Sequence, residues 1–320
     1  MLISSDASPA VLAEQQQGLA MIVRNVLWEI KRGLLESSVL IVGGCTLYYL
    51  WKHFKELSRQ KNEEENPYES QKLLSEYLLF HFGTSQEVFL HDLGPPETRN
   101  FLLQGAEECV KQFKVQSGAP SRALDIGCGV GRASFELAHT FQEVVGIDFS
   151  HLFITTCNQL KDKGRVSYSA TMEGNLRTQY TAVVSEDIDR SRCTFIWGDA
   201  CNLPINLGLF GCILASNLIC RLPDPFAFFH RLPGLLAPGG ILVIISPYSW
   251  MEMFTPKSMW LGGYTDDFGK AVQGFDTMKR VLCPDFELVV EKNMPFFMRE
   301  TARKYQWTVA HMTVWRRKRS

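Results

Sequence analysis

One stretch constrains the fold of this chain more than any other, and it reads Arg122-Ala-Leu-Asp-Ile-Gly-Cys-Gly-Val-Gly-Arg132. A short apolar run breaks into three glycines at alternate positions, and a helical pattern begins at Ala133. This order predicts a strand, a tight turn and a helix. Gly127, Gly129 and Gly131 lack the Cβ atoms that would keep a ligand from the backbone, and they reach dihedral angles that strain other residues. A flat or zwitterionic ligand can therefore lie against the predicted turn.

A carboxylate follows the next apolar run. Val144-Val-Gly-Ile147 leads into Asp148, seventeen residues after Gly131, and Phe149 comes next. A carboxylate at the end of a strand can accept hydrogen bonds from two ribose hydroxyls. We therefore predict a nucleoside-binding crevice between the glycine turn and the pair Asp148 and Phe149.

The glycine spacing and Asp125 indicate which nucleoside binds. The dinucleotide fingerprint is Gly-x-Gly-x-x-Gly, whereas this chain has Asp-x-Gly-x-Gly-x-Gly. A carboxylate at that position repels a pyrophosphate and suits a cationic ammonium group, which favours S-adenosylmethionine with its amino-acid arm near the turn. A plain strand-to-helix turn is the alternative, and the pairing with Asp148 argues against it. The residues predicted to hold this end of the cofactor are Asp125, Gly127, Cys128, Gly129 and Gly131.

Composition restricts the partners of the chain. With 320 residues, 46% of them hydrophobic, and a net charge of −1, it can form one large domain and an appendage. A pI near 6.7 favours a small-molecule substrate over nucleic acid, and the basic residues 316–319 are interpreted as a solvated tail. Nine cysteines show no metal-ligand spacing, so we expect buried thiols in a reducing compartment and no metal site.

Residues 1–65 differ in character from residues 66–320, which we predict to form the catalytic domain. Residues 37–51 are uncharged and mostly apolar, but a spanning helix needs about twenty apolar residues. A membrane anchor or interfacial helix and a loosely packed helix therefore remain alternatives. More positive charge follows the run than precedes it, so an anchor would leave the catalytic domain in the cytoplasm. Residues 61–66 are predicted to be a charged linker.

Apolar runs alternate with helical patterns along the rest of the chain, which implies parallel strands joined by right-handed crossovers. An amphipathic helix is predicted at 101–113, and a helix end with a turn at 235–240. An inserted hairpin is expected within 171–192, and a closing hairpin from 286–290 and 312–315. The predicted strands are 123–126, 144–147, 193–197, 210–217 and 241–246, with a helix at 133–141.

Polar residues follow two of these strands. A carboxylate at Asp199 can accept the exocyclic amine of adenine while Ala200 meets the ring edge, although an Asx turn is the alternative. Because ligands lie beyond the carboxyl ends of parallel strands, Asn217 and Arg221 are predicted to border the transferred methyl group. The helix that follows Asn66 carries Tyr77 and His81, and with Tyr68 these are interpreted as either lid or core residues.

From about residue 66 to residue 317 the chain resembles the 5-thiohistidine N-methyltransferase family, which forms the C-terminal part of bifunctional ovothiol synthases. The glycine turn is shared by most class I methyltransferases, whereas the aromatic loop and the C-terminal motif are more specific. Residues 1–65 stand where those enzymes carry an iron-dependent sulfoxide synthase portion. The other motifs that carry the resemblance are Asn66-Pro-Tyr-Glu-Ser, Leu73-Leu-Ser-Glu-Tyr77, Phe80-His-Phe-Gly83, Gly198-Asp-Ala-Cys-Asn-Leu203, Ser246-Pro-Tyr-Ser-Trp250, Phe254-Thr-Pro-Lys257, Trp260-Leu-Gly-Gly263, Arg299-Glu-Thr-Ala-Arg-Lys304 and Met312-Thr-Val-Trp315.

This resemblance implies a Rossmann-like, mostly parallel seven-stranded sheet with helices on both faces, an inserted hairpin and an N-terminal helical extension. It also implies N-methylation of the imidazole of 5-thiohistidine, giving ovothiol A. Such an acceptor carries a carboxylate, an ammonium group and an acidic thiol, so its pocket should offer an arginine, an acid and an aromatic wall. The candidates for these roles are Arg299, Glu252 or Glu300, and Tyr248 with Trp250.

Alternatives to this interpretation remain open. Arg299 and Glu300 could form a surface ion pair, and His311 is interpreted as a strand residue rather than a base. The same fold could methylate another small histidine-like or thiol acceptor. A membrane-recruited pseudoenzyme or interaction protein is a further alternative, and the intact glycine turn with its later carboxylates argues against it.

Overall fold

The structure is a computed structural model of the chain. It describes residues 21, 24, 25, 66–91, 93–113 and 118–319. The predicted apolar segment 37–51 lies outside the described residues. The fold below belongs to the unit of residues 65–320.

The strands are β1 Arg122–Ile126, β2 Glu143–Asp148, β3 Arg165–Glu173, β4 Leu176–Val183, β5 Cys193–Trp197, β6 Phe210–Ser216, β7 Leu236–Ser246, β8 Tyr264–Thr265, β9 Ala271–Val272, β10 Phe286–Arg299 and β11 Tyr305–Arg317. The central sheet has seven of these strands in the order β10-β11-β7-β6-β1-β2-β5. Neighbours from β7 to β5 pair in parallel, whereas β11 runs antiparallel to both β7 and β10. This arrangement confirms the predicted mostly parallel, Rossmann-like sheet.

Helices cover both faces of this sheet, because successive residues of the buried strands point in opposite directions. Ala123 of β1 belongs to a core that includes Phe153, whereas Leu124 belongs to a second core that includes Phe228. The α-helices are α1 Gln71–Phe82, α2 Ser85–Val88, α3 Phe101–Phe113, α4 Arg132–Leu137, α5 His151–Lys163, α6 Pro225–Arg231 and α7 Gly274–Leu282.

Two predicted helical boundaries are wrong. The helix expected at 133–141 ends at Leu137, because the next residues form tighter turns in which the Ala138 amide also bonds to Phe135 O and the Thr140 amide bonds to Leu137 O. The helix end expected at 235–240 lies mostly within β7, because pairing with β6 begins at Leu236 and continues through a bulge.

Both predicted hairpins are present and longer than expected. The inserted hairpin of β3 and β4 begins at Arg165 and forms its own two-stranded sheet. The closing hairpin of β10 and β11 extends beyond β7, since His311 pairs with Ser246, the last residue of that strand. Arg299 lies six residues past the partner of His311 along β10, or roughly 20 Å at the rise of a strand. This extension separates Arg299 from the end of the parallel sheet.

Candidate active site

The glycine turn joins β1 to α4 and is tied to β2. The amides of Gly127 and Cys128 donate to Ile147 O at 2.8 and 3.1 Å. Gly127, Gly129 and Gly131 have φ values of 74°, 56° and 85°, a region that non-glycine residues reach only with strain. A Cβ atom on Gly129 would lie 2.9 Å from Cε1 of His81. The turn therefore requires glycine at this position for two separate reasons.

Asp148 ends β2 directly beside this turn. One carboxylate oxygen accepts from the Gly129 amide and the other from the Ser150 amide, both at 2.9 Å. Burial raises the pKa of Asp148 to about 6. Each oxygen keeps a second lone pair for a ligand hydroxyl. Phe149 is 54% exposed, and the indole N–H of Trp197 donates to the backbone carbonyl of Phe149 at 2.8 Å.

Asp125 is buried at the end of β1. The hydroxyl of Ser134 donates to its carboxylate at 2.6 Å. Burial raises the pKa of Asp125 to about 7, and the negative charge of Asp148 acts in the same direction. A cation bound nearby would favour the ionised form of both carboxyls. Cys128 is also buried, and burial raises the pKa of its thiol, which makes it a poor nucleophile.

Asp199 lies just after β5, at the N-terminus of a short 3₁₀ helix that runs from Ala200 to Asn202. Its side chain accepts from the Cys201 amide at 2.8 Å, which is the geometry of the Asx turn given above as an alternative. Ala200 is buried. The predicted contacts of Asp199 and Ala200 with adenine stay predictions.

Two non-glycine residues with positive φ end neighbouring strands. Asn217 after β6 has φ 54°, and Tyr248 after β7 has φ 52°. The Asn217 amide donates to Ile245 O at 2.7 Å, and the Tyr248 amide donates to the Ser246 hydroxyl at 3.1 Å. Among the described residues, the buried Oδ1 of Asn217 has no hydrogen-bond partner. An orphan acceptor on a strained strand end is suited to a ligand donor.

Arg221 lies among half-buried aromatic residues. Its guanidinium donates to Ser249 O at 2.7 Å and lies 5.0 Å from the centre of the Phe254 ring. The ring centre of Tyr68 lies 6.0 Å from that of Tyr77 and 5.9 Å from that of Phe254. Burial raises the pKa of Tyr68, and the positive charge of Arg221 only partly offsets that rise. The pKa of Tyr77 is raised by burial first, and then by Tyr68 and Asp148. We call Tyr68, Tyr77, Arg221 and Phe254 the aromatic roof.

The aromatic roof lies close to the predicted cofactor crevice. A Cβ atom on Gly129 would lie 3.4 Å from Cδ1 of Tyr77. Glu69 accepts from the amides of His151 and Leu152 at 2.7 and 3.2 Å, and the Ser150 hydroxyl donates to Tyr68 O at 3.0 Å. These bonds fasten the segment before α1 to the N-terminus of α5, immediately after β2. Sequence reasoning missed Glu69 because its partners are more than 80 residues away.

Tyr248 and Trp250 have their contacts outside the aromatic roof. The Tyr248 hydroxyl lies 3.0 Å from Nδ1 of His311, whose Nε2 lies 3.2 Å from Glu291. The Trp250 ring stacks on Trp260, and within the described part of the chain its buried Nε1 has no hydrogen-bond partner. The structure therefore joins Tyr248 to a hydrogen-bonded chain that ends at a half-exposed carboxylate.

Of the three charged residues predicted to bind the acceptor, two have contacts elsewhere and the third is exposed. Arg299 is buried, donates to Glu87 O, and lies 5.5 Å from the ring centre of Tyr180. Glu300 pairs with Lys304 at 2.7 Å, and Glu252 is exposed. None of the contacts described for these residues is with the glycine turn. A specific role for them in binding the acceptor stays a prediction.

Known proteins resemble this chain over the same region. Residues 124–244 match the model of a family described as a methyltransferase domain. This segment includes the glycine turn, Asp148, Asp199, Asn217 and the strands that position them. The chain carries an S-adenosylmethionine-dependent methyltransferase domain. S-adenosylmethionine is the cofactor of that domain, as the sequence predicted.

Two curated proteins that are similar to this chain are methyltransferases named for different substrates. Cycloartenol-C-24-methyltransferase 1 of Oryza sativa subsp. japonica is 22% identical over 197 residues, or 61% of this chain and 49% of that protein. Demethylmenaquinone methyltransferase of Staphylococcus saprophyticus subsp. saprophyticus is 27% identical over 140 residues, or 42% of this chain and 48% of that protein. The chain spans about half the length of the curated relatives it matches.

Solved structures also resemble the chain. The N-methyltransferase NodS from Bradyrhizobium japonicum WM9, in complex with S-adenosyl-L-homocysteine, is 16% identical with a TM-score of 0.43, covering 77% of this chain and 99% of NodS. Magnesium protoporphyrin IX methyltransferase from Synechocystis PCC 6803 is 14% identical with a TM-score of 0.43, covering 78% of this chain and 98% of the other.

Among the residues that the structure describes, no helix has the length and apolar character needed to cross a bilayer.

Proposed function

We propose that this protein transfers a methyl group from S-adenosylmethionine to an imidazole nitrogen of 5-thiohistidine, giving ovothiol A. The sequence resemblance over residues 66–317 suggests this acceptor, and one structural observation supports it. The aromatic roof combines flat rings, of which Tyr77 lies next to Gly129, with the guanidinium of Arg221. An imidazole ring that carries an acidic thiol needs an aromatic wall and a cation near the thiolate.

The chemistry requires positioning more than activation. When bound, the donor supplies a methyl group made electrophilic by its sulfonium. The free lone pairs of Asp148 would accept the ribose hydroxyls, and Oδ1 of Asn217 would accept a further donor at the strand end. The rings of Tyr68 and Tyr77 exclude water, so a neutral imidazole nitrogen keeps its nucleophilic lone pair free.

Methylation at nitrogen leaves one proton to be released from the imidazolium product. The hydrogen-bonded chain from Tyr248 through His311 to Glu291 leads from a strand end towards solvent. In this proposal the chain accepts that proton and delivers it to the half-exposed carboxylate.

The decisive experiment supplies purified full-length protein with methyl-labelled S-adenosylmethionine and 5-thiohistidine, and follows the methylated imidazole by mass spectrometry. Arg221→Gln should raise the KM for 5-thiohistidine about tenfold, because the thiolate loses its cation. Arg231→Gln is the matched control, since Arg231 also donates to backbone carbonyls but lies on α6, away from the aromatic roof. The absence of any methylated imidazole would refute the proposed acceptor.

A second acceptor class is compatible with the aromatic roof. Flat rings and one guanidinium also suit other small histidine derivatives or an acidic thiol. A panel of histidine, histidine isomers and low-molecular-mass thiols, assayed under the same conditions, separates these acceptors from 5-thiohistidine.

We also propose that residues 37–51 bind a membrane and hold the catalytic domain on its cytoplasmic side. Flotation of the full chain with liposomes tests this membrane binding.

A further inference from the structure

A cavity of about 50 Å³, open to solvent on one side, lies between the C-terminal end of α1, α2 and the N-terminal end of α3. None of its fourteen lining residues carries a carboxylate, whereas two carry guanidinium groups, Arg99 and Arg132. Its aromatic walls include Phe89 and Phe297, whose rings stack at 5.2 Å. The cavity therefore combines aromatic walls with two guanidinium groups, of which Arg132 is paired with Glu136 just outside the lining.

Both guanidinium groups have donors to spare. Nε of Arg132 lies 2.7 Å from Oε1 of Glu136, and its two terminal nitrogens have no described partner. Arg99 lies 5.3 Å from the ring centre of Phe89, and no hydrogen bond of its guanidinium is described. An anion in the cavity would supply acceptors for these donors.

The N-terminus of α3 faces the same cavity, since Phe101, Leu102 and Leu103 all line it. The first amides of a helix have no partner within the helix, and they favour an anion together with the helix dipole. The side chain of Gln104 donates to Arg99 O at 2.8 Å, which holds the turn before this thirteen-residue helix. Asn100, in that turn, has φ 57°.

His81 connects the cavity to the glycine turn. It lines the cavity and is 8% exposed, and its buried Nδ1 has no hydrogen-bond partner among the described residues. On its other side, Cε1 and Nε2 would lie 2.9 and 3.1 Å from a Cβ atom on Gly129. A polar group that binds in the cavity next to His81 would satisfy Nδ1 close to the predicted methyl donor.

We propose that this cavity binds the carboxylate of an α-amino acid, held by Arg99, Arg132 and the first amides of α3. The proposal rests on the proposed function, in which the methyl donor and the acceptor each carry such a carboxylate. Arg132 is next to the glycine turn, where the amino-acid arm of the donor is predicted to lie, and Arg99 is nearer the surface. The contacts of Arg99 and Arg132 suit this role better than those of Arg299, which bonds to a backbone carbonyl.

Binding measurements on the full chain distinguish the two sources of the carboxylate. Calorimetry compares S-adenosylhomocysteine with 5′-methylthioadenosine, which lacks the amino-acid arm, and 5-thiohistidine with its decarboxylated counterpart. If the donor is held, Arg132→Gln or Arg99→Gln weakens S-adenosylhomocysteine about tenfold or more and leaves 5′-methylthioadenosine unchanged. If the acceptor is held, 5-thiohistidine alone is weakened, and its decarboxylated counterpart is not.

The matched control is Arg177→Gln, an exposed substitution on β4. Equal losses for ligands with and without a carboxylate, or no loss for any ligand in either variant, would overturn the proposal. Thermal unfolding checks that each variant folds. Arg99 is exposed, so Arg99→Gln decides the question if Arg132→Gln is unstable. The donor comparison needs no acceptor, so it stands even if 5-thiohistidine is not the substrate.

Discussion

Replacing Gly129 by alanine tests whether the glycine turn is shaped by its close contact with α1. Gly129 has φ 56°, and a Cβ atom there would lie 2.9 Å from Cε1 of His81. The left-handed backbone costs alanine about 1–2 kcal/mol, and overpacking against a buried ring adds about 1–3 kcal/mol. Gly174 is the matched control, because its φ is 53° and nothing lies within 4 Å of its Cβ position. Gly174→Ala should lose the backbone part alone.

Urea unfolding measures the free energy of unfolding of each variant, and calorimetry with S-adenosylhomocysteine measures the affinity of each for the donor product. We expect Gly129→Ala to lose about 2–5 kcal/mol of stability, and Gly174→Ala about 1–2 kcal/mol. Donor affinity should fall only in Gly129→Ala, because Gly129 also donates its amide to Asp148. Equal losses of stability in both variants, with donor affinity intact, would refute the argument that this contact shapes the turn.

Three further predictions follow from the same contacts. The pKa values of Asp125 and Asp148 are raised to about 7 and 6, so both carboxyls are largely protonated at pH 5.5. A cationic donor should therefore bind roughly tenfold more weakly at pH 5.5 than at pH 7.5, as measured by calorimetry. If Asp148→Asn shows the same pH dependence as the unchanged protein, the assigned role of Asp148 is wrong. Glu69→Gln should lower the free energy of unfolding in urea by about 1 kcal/mol, because the N-terminus of α5 loses a charge, and an unchanged midpoint would count against this. Tyr248→Phe should lower the steady-state kcat about tenfold while leaving donor affinity and the single-turnover rate of methyl transfer unchanged, because the proton leaves only after the methyl group has been transferred. An unchanged kcat would show that the hydroxyl bonded to His311 carries no proton away from the product.

The parts of the fold that the sequence predicted well are those set by local pattern. The strand Cys193–Trp197 and the helix Phe101–Phe113 have the predicted bounds, because an apolar run and an amphipathic period are properties of a short segment. The glycine turn was also predictable, since three alternate glycines have few other uses. The start of β7 at Leu236 was not, because pairing with β6 takes residues that a local pattern assigns to a helix end.

The parts of the site that depend on distant contacts were not predictable from one sequence. Glu69 acts on amides at residues 151 and 152, and no spacing along the chain indicates that pairing. The surroundings of Arg299 depend on how far β10 extends past β7, which a motif at the end of the strand does not reveal. The sequence likewise gives no sign that Arg99 lines a cavity, because that cavity forms only when α1 and α3 lie side by side.

The strained ends of β6 and β7 explain how a rigid sheet can present polar groups to a small ligand. Asn217 and Tyr248 turn away from the strand direction with φ near 50°, and hydrogen bonds from their own amides hold them there. Asparagine tolerates this region, whereas for tyrosine it costs about 1–2 kcal/mol that the surrounding packing must offset. The structure accepts this cost at two adjacent strand ends, one of which carries an orphan amide oxygen. Strain together with an unsatisfied buried acceptor is expected where a ligand completes the hydrogen bonding, so these two residues, together with Asp148, mark the edge at which donor and acceptor should meet.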